Sequence, residues 1–225
     1  LLKARRFGPF FATQFLGAFN DNLFKNALVV LLTFQAASWT TIRPEVLTNL
    51  AAGIFILPFF LFSATAGQLA DKYDKAKLAR LVKLLEILIM GIALLGFVVH
   101  SLSTLLVALF LLGLHSTLFG PVKYAILPQH LRESELVGGN ALVEAGTFVA
   151  ILIGTLAGGL LAGAANHPTW VALAGLLVAI LGYLCSRGIP TAAAPVPGLV
   201  ISLNPLSETW RNIGFARENR TVFLS

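Results

Sequence analysis

Six apolar stretches, at 7–35, 46–69, 77–99, 102–126, 138–164 and 169–187, follow one another with short joints between them. Each is long enough to cross a hydrocarbon core, which takes roughly 20 helical residues. Backbone immersed in lipid must satisfy its own hydrogen bonds, so the stretches are read as six transmembrane helices and the chain as an all-α membrane protein. The charged fraction of 12% supports this reading, since a soluble domain carries about 25%. Six crossings return both ends to one side.

The basic residues decide which side. Lys3, Arg5 and Arg6, then Lys72, Lys75, Lys77 and Arg80, then Arg132, then Arg187, Arg211, Arg217 and Arg220 share one face, while the other holds chiefly Arg43. By the positive-inside rule both ends are expected to be cytoplasmic. The aromatic residues fit, with Trp39 and Trp170 at outer ends and Tyr73, Tyr124 and Tyr183 at inner ones. The net charge of +6 is therefore a topology signal and predicts no nucleic-acid partner. No cleavable leader is evident before the first span, which is expected to stay attached. The single cysteine, Cys185, offers neither a disulfide nor a cysteine metal site.

The first stretch is interrupted by Gln14-Phe15-Leu16-Gly17-Ala18-Phe19-Asn20-Asp21-Asn22-Leu23-Phe24-Lys25-Asn26. Asp21 falls near the bilayer centre, where a bare charge costs about 3 kcal/mol or more, a cost normally tolerated for function. At helical spacing Gln14, Gly17, Asp21 and Lys25 share a face, with Asn22 and Asn26 about a quarter-turn away. This arc must face protein or water. Asp21 and Lys25, one turn apart, have the spacing of an ion pair that could neutralise itself.

Further polar residues recur in the later segments. Lys83 is expected to snorkel to the cytoplasmic surface, while Glu86, three residues deeper, either serves transport or pairs locally with it. His115 reads as a hydrogen-bonded packing residue rather than a proton carrier. Gly120-Pro121 is expected to bend or break the fourth helix beside Lys123, which either snorkels or serves as an anion-binding or gating lysine. Glu144, two turns from the inner end of the fifth segment, is placed to reach Lys123. Small residues from Gly138 to Gly159 predict tight packing of that segment. Asn49 with Ala66-Gly67 and Asn140 with Ala157-Gly158 share one internal spacing, an echo expected of two three-helix repeats.

The turn Gly67-Gln68-Leu69-Ala70-Asp71-Lys72-Tyr73-Asp74-Lys75-Ala76-Lys77 joins the second and third segments. Here Gly67 would permit close helix approach, Asp71 would cap the next helix or hold a cation, and Lys72 would fix topology. The expected organisation is a six-helix bundle over 1–187 and a cytoplasmic linker over 188–220, leaving the membrane at Thr191–Gly198. That linker would contain an amphipathic helix N-capped by Asn204. Residues 221–225 read as the start of a seventh span, as if the chain were half of a larger protein.

The 67–77 turn resembles the Gly-x-x-x-Asp-Arg/Lys-x-Gly-Arg/Lys-Arg/Lys signature of the major facilitator superfamily, with Asp74 and Ala76 departing from it. Gln14-Phe15-Leu16, Ala18-Phe19, Asp21-Asn22, Pro121-Val122-Lys123-Tyr124-Ala125-Ile126-Leu127 and Asn140 through Gly159 narrow the likeness. Together they resemble the bacterial lysophospholipid transporter family, with Asn20 and Lys25 closer to its form fused to acyltransferase and acyl-carrier-protein ligase domains. The resemblance implies the N-terminal half of a major facilitator fold in the bacterial inner membrane, with a C-terminal six-helix half as partner. It also implies inward movement of lysophospholipids such as lysophosphatidylethanolamine. Asp21 would meet a headgroup ammonium, the amides of Asn20, Asn22 and Asn26 the glycerol or phosphate oxygens, and Lys25 or Lys123 the phosphate. Asp71, Lys72, Glu144, Asn140, Glu86 and Gly67 would gate or support the path.

A drug/proton antiporter is the nearest alternative, but the fourth segment lacks an arginine and the fifth a glycine-proline pattern. A membrane acyltransferase would need His-x-x-x-x-Asp, and His130 followed by Glu135 is the closest arrangement here. No phosphate loop, serine nucleophile motif or ligand-spaced His/Cys cluster is present, so no enzyme activity, cofactor or metal is expected of this segment.

Overall fold

The computed structural model describes residues 1–35, 37, 39–164 and 168–202. Six helices follow in order, α1 (Gly8–Phe34), α2 (Pro44–Lys72), α3 (Lys75–Val98), α4 (Leu102–His130), α5 (Glu133–Ala164) and α6 (Thr169–Arg187). Helices α2 to α6 are long and apolar enough to cross a membrane. The polar run keeps α1 from meeting the same hydropathy standard. Prolines open α1 and α2, where a missing N–H costs nothing. Side chains open the next two, with Asp74 accepting the Lys77 amide at the start of α3 and Ser101 the Thr104 amide at the start of α4.

The break expected at Gly120-Pro121 does not form, because α4 continues through Pro121 and Pro128 to His130. Phe119, Val122, Ile126 and Leu127 are buried on both sides of the proline, so lateral packing holds the helix through it.

Helix pairing is symmetric. The main contacts are α1 with α5, α2 with α4, α3 with α6, α3 with α4 and α1 with α6. Exchanging α1 with α4, α2 with α5 and α3 with α6 maps this set onto itself, as two three-helix repeats require. Glycines set the closest approaches. A Cβ at Gly154 or Gly158 of α5 would press on the Phe19 or Leu23 carbonyl of α1, and one at Gly113 of α4 on the Phe55 carbonyl of α2. The tight packing expected of the fifth segment is present. Gly67 makes no such approach, since a Cβ there would meet nothing within 4 Å.

Two apolar cores result. One gathers Leu28, Ile89, Met90 and Leu109, and the other, at the basic end, gathers Phe10, Val82, Val122 and Ile126. Between them α1, α3 and α4 contribute a buried polar layer containing Asn20, Lys83, Glu86 and His115.

The stretch after α6 folds back onto the bundle. Residues 189–202 lie across the basic ends of α2, α3 and α4, held by main-chain bonds from Lys75 N–H to the Ala192 carbonyl at 2.9 Å and from Val196 N–H to the Asp71 carbonyl at 3.0 Å. Arg80 donates to the Ile189 carbonyl, Lys75 and Gln129 to the Ala193 carbonyl, and the Ser202 amide to Gln68. A run of Pro and Ala has few side-chain anchors of its own, and the helix ends supply them. Capping of α3 falls to Asp74 rather than Asp71, because Asp71 lies within the last turn of α2. The helix expected from Asn204 and the seventh span expected at 221–225 lie outside the described residues.

Candidate functional site

The polar layer is organised around Glu86, whose side chain is 0% exposed. Lys83, one turn back on α3 and 1% exposed, is 2.6 Å from one Glu86 oxygen, and the Asn20 amide of α1 donates to the other at 2.7 Å. Lys83 therefore does not snorkel. It is more than two turns into α3, where its neighbours are other helices, and its ammonium also lies 5.5 Å from the Phe119 ring centre.

His115 of α4 stands between two acids. Its Nε2 is 3.4 Å from Glu86 Oε2 and its Nδ1 is 3.8 Å from Asp21 Oδ1, with the imidazole 2% exposed. Neither ring nitrogen has a hydrogen-bond partner among the described residues. This corrects the reading of His115 as a hydrogen-bonded packing residue: its contacts are to charges. Ser116, the next residue, donates to Asp21 Oδ2.

Asp21 is 14% exposed, at the wall of a cavity of about 280 Å³. The arc residues Gln14 and Gly17 line it with Asp21, while α4 adds Ser116 and Lys123, and α2 and α4 add the apolar walls Phe59 and Phe119. Lys123 is 3.1 Å from Glu144 of α5 and donates to Thr147 at 3.1 Å, and the Tyr124 hydroxyl donates to Glu144 at 2.9 Å. The reach of Glu144 to Lys123 expected from spacing is thus observed. Gln14 joins the same group, accepting from Thr147 at 3.1 Å. One cavity therefore has a carboxylate at one position and an ammonium at another.

The remaining expected site residues are elsewhere. Asp21 does not pair with Lys25, whose ammonium donates to Asn22 at 3.1 Å and lies 5.1 Å from the Phe55 ring centre. Asn22 donates to the Ala18 carbonyl of its own helix, and Asn26 bridges the Asn22 carbonyl and Thr155 of α5. Asn20 is fully buried toward α3. None of Asn20, Asn22, Lys25 and Asn26 lines the cavity. Asn140 donates within its own helix to Leu136, and Lys72 lies over the Tyr73 ring. Lys83, His115, Ser116 and Thr147 join the site from outside the expected set. Of these, Lys83 at i−3 from Glu86 and the His115-Ser116 pair inside an apolar run carried the only sequence signal.

The His130 and Glu135 arrangement is structural. Glu135 is held by Arg6 through two bonds of 2.6 and 2.7 Å, and His130 Nε2 faces the Thr191 carbonyl at 3.3 Å.

A symmetric bundle of membrane-length helices, with a buried charge network beside a largely apolar cavity, has the architecture of a multi-pass membrane transporter. A profile described as Major Facilitator Superfamily matches residues 10–224, and the chain belongs to that superfamily. This family of transporters removes the acyltransferase reading of the segment. Among curated relatives, a protein named lysophospholipid transporter LplT from Escherichia coli O1:K1 / APEC is 32% identical over 211 residues, covering 88% of this chain and 49% of the relative. The one from Escherichia coli O7:K1 (strain IAI39 / ExPEC) is 33% identical over 208 residues, with the same coverage. The chain thus spans about half the length of the curated relatives it matches.

Proposed function

We propose that the chain is the N-terminal half of a transporter that moves lysophospholipids across the bacterial inner membrane by alternating access, its basic face on the cytoplasmic side. The observation that carries the reading is the presence of Asp21 and Lys123 on one cavity wall set with Phe59 and Phe119. A zwitterionic headgroup needs an acid for its ammonium and a base for its phosphate, and an acyl chain needs an apolar flank. At about 280 Å³ the cavity is just below the usual size of ligand sites, which run about 300–1,000 Å³. It suits a headgroup, with the acyl chain lying outside along apolar surface. The names of the relatives point the same way. In this reading Asn20, Asn22 and Asn26 position α1, and a C-terminal half closes the open side of the cavity.

The test is lysophosphatidylethanolamine uptake by spheroplasts carrying the full-length protein. Asp21→Asn at normal abundance is expected to lower uptake at least about tenfold, the loss of one charge-assisted contact of about 1.5–3 kcal/mol. Unchanged uptake overturns the role of Asp21. Export of a lipophilic cation without lysolipid uptake would instead establish the antiporter reading.

A further inference from the structure

We infer that Asp21, His115 and Glu86 form a proton-binding site whose proton leaves when the ammonium group of a headgroup docks on Asp21. The geometry begins with the imidazole. Its two nitrogens face two carboxylate oxygens from different helices, at 3.4 Å and 3.8 Å, and neither has another hydrogen-bond partner among the described residues. A neutral imidazole has one N–H and one lone pair, so one of these acids would face a lone pair, whereas an imidazolium presents an N–H to each.

Charge balance gives the same answer. Every element packed against His115 contributes to the count: α1 presents Asp21 and, one turn on, Lys25, whose ammonium is held by Asn22 over the Phe55 ring of α2, and α3 presents Lys83 and Glu86. On α4 itself Lys123 is committed to Glu144. Lys83 pairs with Glu86 and Lys25 with the Asn22 amide, leaving His115 as the basic group that faces Asp21 directly. With the imidazole neutral, the layer holds one uncompensated negative charge in a low-dielectric bundle, an arrangement of high cost.

An ammonium group arriving through the cavity changes the count. Asp21 is the acid of the network that lines the cavity, beside Lys83 and His115, and its buried Oδ1 has no hydrogen-bond partner among the described residues. Once an ammonium supplies the balancing charge there, the second N–H of His115 is redundant. The proton passes from Nδ1 to water in the cavity, leaving a neutral imidazole whose Nε2–H still faces Glu86. A headgroup with no cation leaves the proton in place. This exchange rests on the lysolipid reading, but the proton site of the empty protein does not.

The experiment has two arms on purified full-length protein in nanodiscs. In the first, without lysolipid, ¹⁵N imidazole spectra at pH 7 are compared with those of His115→Gln to assign the His115 signals. Two protonated nitrogens are expected, and one bare nitrogen overturns the proton site. Asp21→Asn, which removes the unbalanced acid, is expected to return His115 to the neutral form, and an unchanged imidazolium also counts against the site. In the second arm a pH indicator in weak buffer follows lysolipid binding. Lysophosphatidylethanolamine is expected to release about one proton per molecule bound, and lysophosphatidylglycerol none. Binding of lysophosphatidylethanolamine without release, or equal release by both lipids, overturns the exchange. Failure of lysophosphatidylethanolamine to bind overturns the lysolipid reading, while the first arm still decides the proton site.

Discussion

Asp74 uses both carboxylate oxygens at once, one accepting the Lys77 amide that starts α3 and the other the Ala192 amide of the segment laid across the helix ends, at 2.9 and 3.2 Å. The superfamily signature expects glycine at this position, and the residue found instead does two structural jobs. The Lys75 amide returns the tie to the Ala192 carbonyl, closing a small ring of bonds.

Asp74→Ala is therefore expected to lose the cap, about 1 kcal/mol, and also to release residues 189–202. Limited proteolysis of the full-length protein should show faster cleavage between Ile189 and Ser202, with the helices themselves still protected.

Removing one partner of the Lys83 and Glu86 pair should harm folding far more than removing both. Each is almost fully buried, and leaving one such charge uncompensated costs about 3–5 kcal/mol, while an apolar replacement of the pair is often neutral. Lys83→Met and Glu86→Leu are each expected to reduce the thermal midpoint and the folded yield. The double variant should recover most of the loss, as read by a double-mutant cycle.

The Lys123 and Glu144 contact calls for the opposite expectation. Glu144 is 43% exposed, so screening limits the pair to about 0–1 kcal/mol of stability. Charge reversal at either site should leave protein abundance unchanged while lowering transport, and Lys123→Glu with Glu144→Lys should recover activity if the pair is a lock that opens during the cycle. Persistent inactivity of the double reversal would rule out that pairing.

Glycine substitutions should separate by what their Cβ meets. Gly154→Ala and Gly158→Ala would push α5 off the α1 backbone and are expected to lower the thermal midpoint. Gly91→Ala, with open space at its Cβ, should be neutral or stabilising by up to about 1 kcal/mol, the helix-propensity difference.

The helices themselves were legible because hydrophobic length in lipid leaves one solution, and boundaries from α1 to α6 differ from the apolar stretches by only a few residues. Partner choice was not legible. Asp21 and Lys25 have pairing geometry within α1, yet Asp21 turns to Ser116 and His115, because a helix placed alongside offers donors at a position that spacing along one helix does not encode. Lys83 was misplaced for the same reason. Snorkelling assumes a lipid-facing stem, and the α1 and α6 contacts that enclose this lysine exist only after folding. Capping by Asp74 and not Asp71 turned on where α2 ends, a matter of a few residues that hydropathy does not resolve.

The exchange symmetry of the bundle places α1 and α4 as counterparts, and Asp21 and His115 stand midway along them. A ligand point shared by two counterpart helices is on the same line about which the two repeats would turn. A turn of one against the other about that line leaves the spacing of acid and imidazole nearly fixed and moves the distant contacts most. The acid and imidazole would in that case act as a pivot, keeping hold of whatever they bind while the helix ends part and close around it.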